Sequence, residues 1–175
     1  YKRQVHRLRE LGVGRRDRVA VVLPDGPEAA VTMISVAAGA VCVPLNPGFT
    51  ADEWRRYFGE LRVAALLTRP DIESASRRAA LSLDIPVIDL PKPSHDGANP
   101  FSISVSIKRK ISDEGFASSA DDAFILLTSG STSRPKTVPL THASVCLSAR
   151  NVGAVLGLTP QDRLLSVLPL FHGHG

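Results

Sequence analysis

The sequence predicts an α/β fold: a doubly wound, mostly parallel sheet with helices on both faces. Three observations predict it. Short continuous apolar runs rich in β-branched residues, such as RVAVVLP (18–24) and AVCVPL (40–45), mark strands covered on both faces. Helix-length segments with start and stop signals stand between those runs. The connections are a few residues long, as in β-α-β units.

Residues 1–11 read as a helix ended by Gly12, with Tyr1, Val5 and Leu8 on one face and a solvated basic face opposite. The first strand is 18–24, and Asp25-Gly26 turns the chain. Pro27 opens a helix to about Ala38, with Glu28 in the first turn, where the helix dipole favours an anion. Gly39 stops it. The second strand, 40–45, is closed by Pro44 and by Asn46-Pro47-Gly48. Thr50 and Glu53 form a capping box for a helix over 50–61. VAALLT (63–68) is a third strand, Asp71 is placed to cap a helix to about Leu83, and PVIDL (86–90) is a fourth strand.

Residues 91–122 break this rhythm. They are turn-rich and polar, with SISVSI alternating at period two as a candidate edge strand, and His95 reads as solvated. AFILLT (123–128) resumes as a strand, and TVPL (137–140) is another. Thr141 caps a helix from His142 to about Leu156, ended by Gly157. RLLSVLPL (163–170) is read as a further apolar strand, short of neighbours to cover it.

Composition bounds the function. The chain has 175 residues, enough to bury a core without disulfides or metal, and its 43% hydrophobic and 22% charged residues are globular values. Aromatics are 5%, which argues against a base-stacking nucleic-acid module. The net charge of +4 is concentrated in residues 1–18, which carry seven basic and two acidic side chains. These read as the solvated face of the first helix rather than a nucleic-acid or lipid patch. Cys42 and Cys146 sit in apolar sequence settings without metal-ligand spacing, and suit a reducing, cytoplasmic compartment. The least polar stretch, Ala29 to Val43, is short of a membrane span. The chain starts at Tyr1 and ends in FHGHG, so it reads as an internal piece of a longer protein.

Chemistry concentrates in one loop. Between strands lie Thr128, Ser129, Gly130, Ser131, Thr132, Ser133, Arg134, Pro135 and Lys136: five hydroxyls, one glycine and two cations in nine positions. Hydroxyls and backbone N–H groups donate to phosphate oxygens, Gly130 permits close approach, and Arg134 and Lys136 balance charge. Pro135 stiffens the far end. The loop is not a Walker A loop, because Lys136 leads into a strand instead of a helix, and no GxGxxG is present.

TSGSTSRPK resembles the phosphate-binding motif of the AMP-forming adenylate ligases: acyl- and aryl-CoA synthetases, peptide-synthetase adenylation domains and beetle luciferases. Their usual pattern is TSG[ST]TGxPKG. LGVGRRDRVAVVLPDGPEAAVTMISVAAGAVCVPLNPGFT and VLPLFHGHG resemble further segments of that family, in the same order. Ser133 stands where the family usually has Gly, and Thr137 follows Lys136. The Ser-Arg-Pro-Lys form with VPLTH and PLFHGHG is most similar to the oxalyl-CoA synthetase and peroxisomal CoA-synthetase branch. The likeness covers nearly the whole chain, but only about the first third of a family member.

The resemblance implies a flavodoxin-like subdomain over 1–157 that carries the loop, and the truncated start of the next subdomain over 158–175. It implies a two-step reaction. A small carboxylic acid attacks the α-phosphorus of ATP, with Mg2+ carried by the nucleotide, and CoA or the pantetheine arm of an acyl carrier protein then takes the acyl group. Thr128 through Lys136 would grip the β- and γ-phosphates, with Lys136 and His172 as the catalytic pair and His172 near the carboxylate. His142 reads as structural and His174 carries no role. In the family the acid pocket, the adenine-binding segments, the metal-binding Glu and a catalytic Lys lie downstream, so the chain alone is expected to be inactive and to depend on the remainder of its own polypeptide. Two other readings stand beside this one: a noncatalytic remnant or interaction module on the same scaffold, and a carrier-protein-loading adenylation domain.

Overall fold

The structure is a computed structural model, and it describes residues 2–71, 74–90, 102–103, 113, 115–128 and 136–172. Its helices are α1 (Lys2–Glu10), α2 (Pro27–Ala37), α3 (Ala51–Glu60), α4 (Ala75–Ser82) and α5 (His142–Leu156). Its strands are β1 (Arg18–Val21), β2 (Val41–Pro44), β3 (Ala65–Thr68), β4 (Val87–Asp89), β5 (Ser102–Ile103), β6 (Asp122–Thr128) and β7 (Lys136–Thr141). The described strands form one sheet in the order β5-β4-β3-β1-β2-β6-β7. The five inner strands are parallel, while β5 and β7 run antiparallel at the two edges. This is the expected mostly parallel α/β sheet, and β5 supplies the expected edge strand within SISVSI.

The register explains the apolar runs. Val19 lies between Cys42 and Ala65, and Ala20 between Val43 and Leu66. Successive residues point to opposite faces, so Val19 and Val21 enter one core with Leu8, Leu11, Met33 and Val36 of the α1/α2 layer. Ala20 and Val22 enter the other, with Trp54, Tyr57, Phe58, Ala79 and Ala80 of the α3/α4 layer. Phe49 meets Trp54 edge-on, ring centroids 5.3 Å apart at 68°, and stands 4.8 Å from Tyr57. Burying a side chain the size of Phe58 is worth about 1.5–3 kcal/mol.

Local signals set most element ends. The Thr50 hydroxyl accepts from Glu53 N, and the Glu53 carboxylate accepts from Thr50 N at 2.8 Å, which completes the capping box. Pro27 stands in the first turn of α2 with Glu28. Thr141 accepts from Ser144 N at 3.2 Å, and Gly157 ends α5 at φ +61°. Gly39 marks a close approach: a Cβ there would meet Val5 Cγ1 at 2.9 Å, so α1 packs directly on the end of α2.

Two expectations are corrected, on the cap of α4 and on residues 163–170. Ser74, not Asp71, caps α4, accepting from Arg77 N, while Asp71 is engaged by Arg69 at 2.8 Å. Cys146 is exposed despite its apolar neighbours, because nothing described covers its side of α5. Residues 163–170 form no strand: Leu164, Leu165 and Val167 are 85%, 82% and 79% exposed. Apolar, β-branched composition favours burial, but a strand exists only beside a hydrogen-bonding partner, and no described strand lies there. Tyr1, His95 and most of 91–112 lie outside the described residues.

The entry to α5 is stitched to α2. His142 N donates to the Asp121 carbonyl at 3.0 Å, and Ala117 N to the Ala38 carbonyl at 3.2 Å. Asp121 also accepts from Ser118 N at 2.7 Å and faces Arg15 at 3.5 Å. The Ser118 hydrogen bonds, then Arg15 and Arg16, hold its pKa below the ordinary 3.8. A carboxylate with a depressed folded pKa adds stability above its unfolded value, and loses it as pH falls through the folded one. Wild-type stability should therefore drop below about pH 4. Asp121→Asn should be less stable than wild type at neutral pH and lose less on acidification, as read by urea unfolding at pH 7 and pH 3; identical pH profiles would exclude this role.

Cys42 is wholly buried at the centre of the sheet, and burial pushes its thiol well above the ordinary cysteine value. In the folded chain a thiol reagent at pH 8 should titrate Cys146 quickly and Cys42 only after denaturation. Loss of the fast phase in Cys146→Ser confirms the assignment, and a fast phase that survives it contradicts the burial of β2.

Candidate functional site

β6 and β7 form an antiparallel hairpin joined by residues 129–135. Phe124 pairs with Leu140, Leu126 with Val138, and Thr128 with Lys136. The two ends of the Ser/Thr loop therefore stand directly opposite each other at the carboxyl end of β6. The Thr128 hydroxyl donates to the Lys136 carbonyl at 3.4 Å, and both residues are exposed. Ser129, Gly130, Ser131, Thr132, Ser133, Arg134 and Pro135 lie outside the described residues, as does His174. Lys136 makes no ion pair among the described residues.

An irregularity between Asp122 and Phe124 turns both Ala123 and Phe124 toward the α1/α2 core. Beyond it the alternation is regular: Ile125 and Leu127 belong to the α3/α4 side, and Phe124 and Leu126 to the opposite face. Period two places Thr128 and its partner Lys136 on that second face. The same face carries an open cavity of about 480 Å³ beneath α5, lined by Phe124, Leu126, Leu140, Val145, Leu170 and His172 among others. The fold thus brings Thr128, Lys136 and His172, 36 or more positions apart in sequence for the last of them, to one face of the sheet.

His172 closes a turn, its N–H donating to the Pro169 carbonyl at 3.0 Å. Leu170 N donates to Asp25 Oδ1 at 2.8 Å, across 145 positions of sequence. Asp25 was legible only as a turn residue next to glycine; nothing in the sequence pairs it with Leu170. His142 does the packing job its position suggested, its Nε2 donating to the Ala37 carbonyl at 3.0 Å.

Doubly wound sheets commonly bind ligands where neighbouring strands send their connections to opposite faces. Here that crevice lies between β1, which leads to α2, and β3, which leads to α4. An ion pair spans it, and a second lies beside it at β4. Arg69 meets Glu28 at 3.4 Å and Asp71 at 2.8 Å, and Arg77 pairs with the buried Asp89. The hydrogen bond and charge of Asp71 raise the Arg69 pKa further. These cations are already matched by carboxylates, whereas Lys136 stands beside a hydroxyl at an open edge, a donor set suited to phosphate oxygens. Among the described residues, no helix is long and apolar enough to cross a membrane, and no group of three or more His, Cys, Asp or Glu is placed to hold a metal ion.

Residues 3–175 match the AMP-binding enzyme family. The chain belongs to that family. Over 170 residues this AMP-binding family member is 34% identical to an oxalate–CoA ligase of Arabidopsis thaliana, a match covering 95% of this chain and 33% of that protein. It is 31% identical over 186 residues to an oxalate–CoA ligase of Saccharomyces cerevisiae, covering 93% and 34%. The crystal structure of ATP-bound MatB from Rhodopseudomonas palustris matches with a TM-score of 0.76 at 27% identity, over 99% of this chain and 34% of that one. The AMP-binding chain spans about a third of the length of the curated relatives it matches. The likeness of its loop motif to oxalyl-CoA synthetases agrees with the oxalate–CoA ligases among its relatives.

Proposed function

We propose that this chain is the phosphate-gripping part of an ATP-dependent, AMP-forming acyl ligase that activates a small carboxylic acid and passes it to a thiol. The observation that carries the reading is the pairing of Thr128 with Lys136 at the mouth of the Ser/Thr loop, in a chain of the AMP-binding enzyme family. The CoA ligases among its relatives and the ATP bound to its structural neighbour MatB support a nucleotide and CoA as co-substrates. The peptide-synthetase likeness of the motif keeps a carrier-protein pantetheine open as the acceptor. Mg2+ carried by the nucleotide would supply neutralisation of phosphate charge.

The chain's own residues bind and orient. Ser129, Ser131, Thr132 and Ser133 donate hydroxyl hydrogens to the β- and γ-phosphates, Thr128 turns its hydroxyl from the Lys136 carbonyl to join them, and Gly130 lets the backbone approach. Arg134 and Lys136 offset the charge that builds as pyrophosphate leaves, and Pro135 limits the loop's freedom. Donors fixed in advance need no reorganisation when that charge appears, which is why they lower the barrier. His172 orients the carboxylate on the same face. Residues 1–157 act as one subdomain, and 158–175 lead into the next.

In the full-length protein, Lys136→Ala should slow acid-dependent pyrophosphate exchange by roughly 10²–10³, the cost of losing one preorganised donor. An unchanged rate removes Lys136 from the site. The 175-residue chain alone should form no acyl-adenylate, because in-line attack needs the acid held within about 3–3.5 Å of phosphorus and the phosphate grip fixes only one reactant. Its affinity for Mg·ATP should be weak, since these contacts are exposed to screening water. Calorimetry with a parallel adenylate assay checks both, and adenylate formed by this chain alone would mean the active site is misplaced.

A further inference from the structure

We propose that Asp25 is a positioning residue that sets the orientation of His172. The inference rests on the reading of His172 given above. Pro169–His172 is a single turn, closed by the His172 N–H on the Pro169 carbonyl at 3.0 Å. Among the described contacts, two at Leu170 tie that turn to the body of the fold. The Leu170 side chain is half-buried against the α1/α2 core. The Leu170 N–H donates to Asp25 Oδ1 at 2.8 Å. The apolar anchor fixes how close the turn lies to the sheet, but dispersion and burial are non-directional and leave its rotation free. The hydrogen bond is directional, and a carboxylate acceptor makes it one of the stronger kind. It therefore constrains which way the turn faces, and with it how the imidazole two residues on lines the cavity.

The anchor on the other side is tied closely to the sheet. Asp25 follows β1, with Leu23 buried two residues before it. Gly26 holds φ +152°, a value that residues with a side chain rarely adopt, and Pro27 begins α2 immediately after. The chain leading into the turn is the exposed, strandless segment 163–168, which is joined to no described strand. Asp25 thus carries positional information from the central strand of the sheet to a segment that has no pairing of its own.

The test has two arms. In the 175-residue chain, Asp25→Ala should speed hydrogen exchange of the Leu170 amide by about tenfold, as loss of one charge-assisted hydrogen bond predicts. Asp25→Asn keeps an acceptor oxygen and should restore protection. Gly26→Ala, whose added methyl meets no atom within 4 Å, strains only the backbone and should also loosen the turn. In the full-length protein, Asp25→Ala should lower kcat for acid-dependent pyrophosphate exchange about tenfold, with Tm and the KM for ATP unchanged, and Asp25→Asn should recover it. The Asp25→Ala/His172→Ala double variant should be no slower than His172→Ala alone. Unchanged Leu170 exchange in Asp25→Ala, or additive losses in the double variant, overturns the proposal. Full activity in His172→Ala overturns it as well, but through the reading of His172, and the exchange arm separates that failure from a failure of the tether.

Discussion

Both faces of β1 have to be dry, and the rest of the molecule follows from that constraint. The strand is hydrogen-bonded on each side, to β2 and β3, and alternate residues enter two separate cores. Neither core closes without a helical layer, so α1 and α2 must lie on one face and α3 and α4 on the other. Parallel neighbours linked by helices then share a common carboxyl edge, where the loops end up by default. Asp25 reaches the turn that carries His172 only because β1, buried from Val19 to Val21, delivers it to that edge.

The candidate site departs from this pattern at β6 and β7. A helical crossover after β6 would have carried the chain across a layer and separated the ends of the Ser/Thr loop. A direct antiparallel return places Lys136 opposite Thr128 instead, with their side chains on one face. The irregularity near Ala123 lets one strand serve two needs: its first residues fill the α1/α2 core, and its later ones alternate between core and cavity. The crevice between β1 and β3, where sheets of this kind often bind ligands, is spanned by the Arg69–Glu28 ion pair. The Thr128–Lys136 pair sits two strands away, at an edge where a hydroxyl and a cation remain accessible.

Much of the architecture was legible locally. Thr50 with Glu53, Pro27, Thr141 and Gly157 act through hydrogen bonds or backbone preferences within a few residues, so their roles can be read without knowing the fold. The buried runs around Val19, Cys42 and Leu66 announce strands wet on neither face. Expectation failed where the deciding partner is remote or missing. Asp71 looks like a helix cap, but the Arg69 guanidinium engages it and Ser74 takes the cap. Residues 163–170 have strand composition, yet a strand is a relation between two segments.

The sequence alone determined the class of fold and most of its elements, and it singled out the Ser/Thr loop as the candidate site, because periodicity, end signals and a dense motif are all local. The tertiary structure decided which residues meet. The pairing of Thr128 with Lys136 depends on strand register, the placement of His172 on their face depends on sheet alternation, and the bond between Asp25 and Leu170 spans 145 positions. Such contacts are fixed by the packing of both cores at once, and no window of neighbouring residues contains that information.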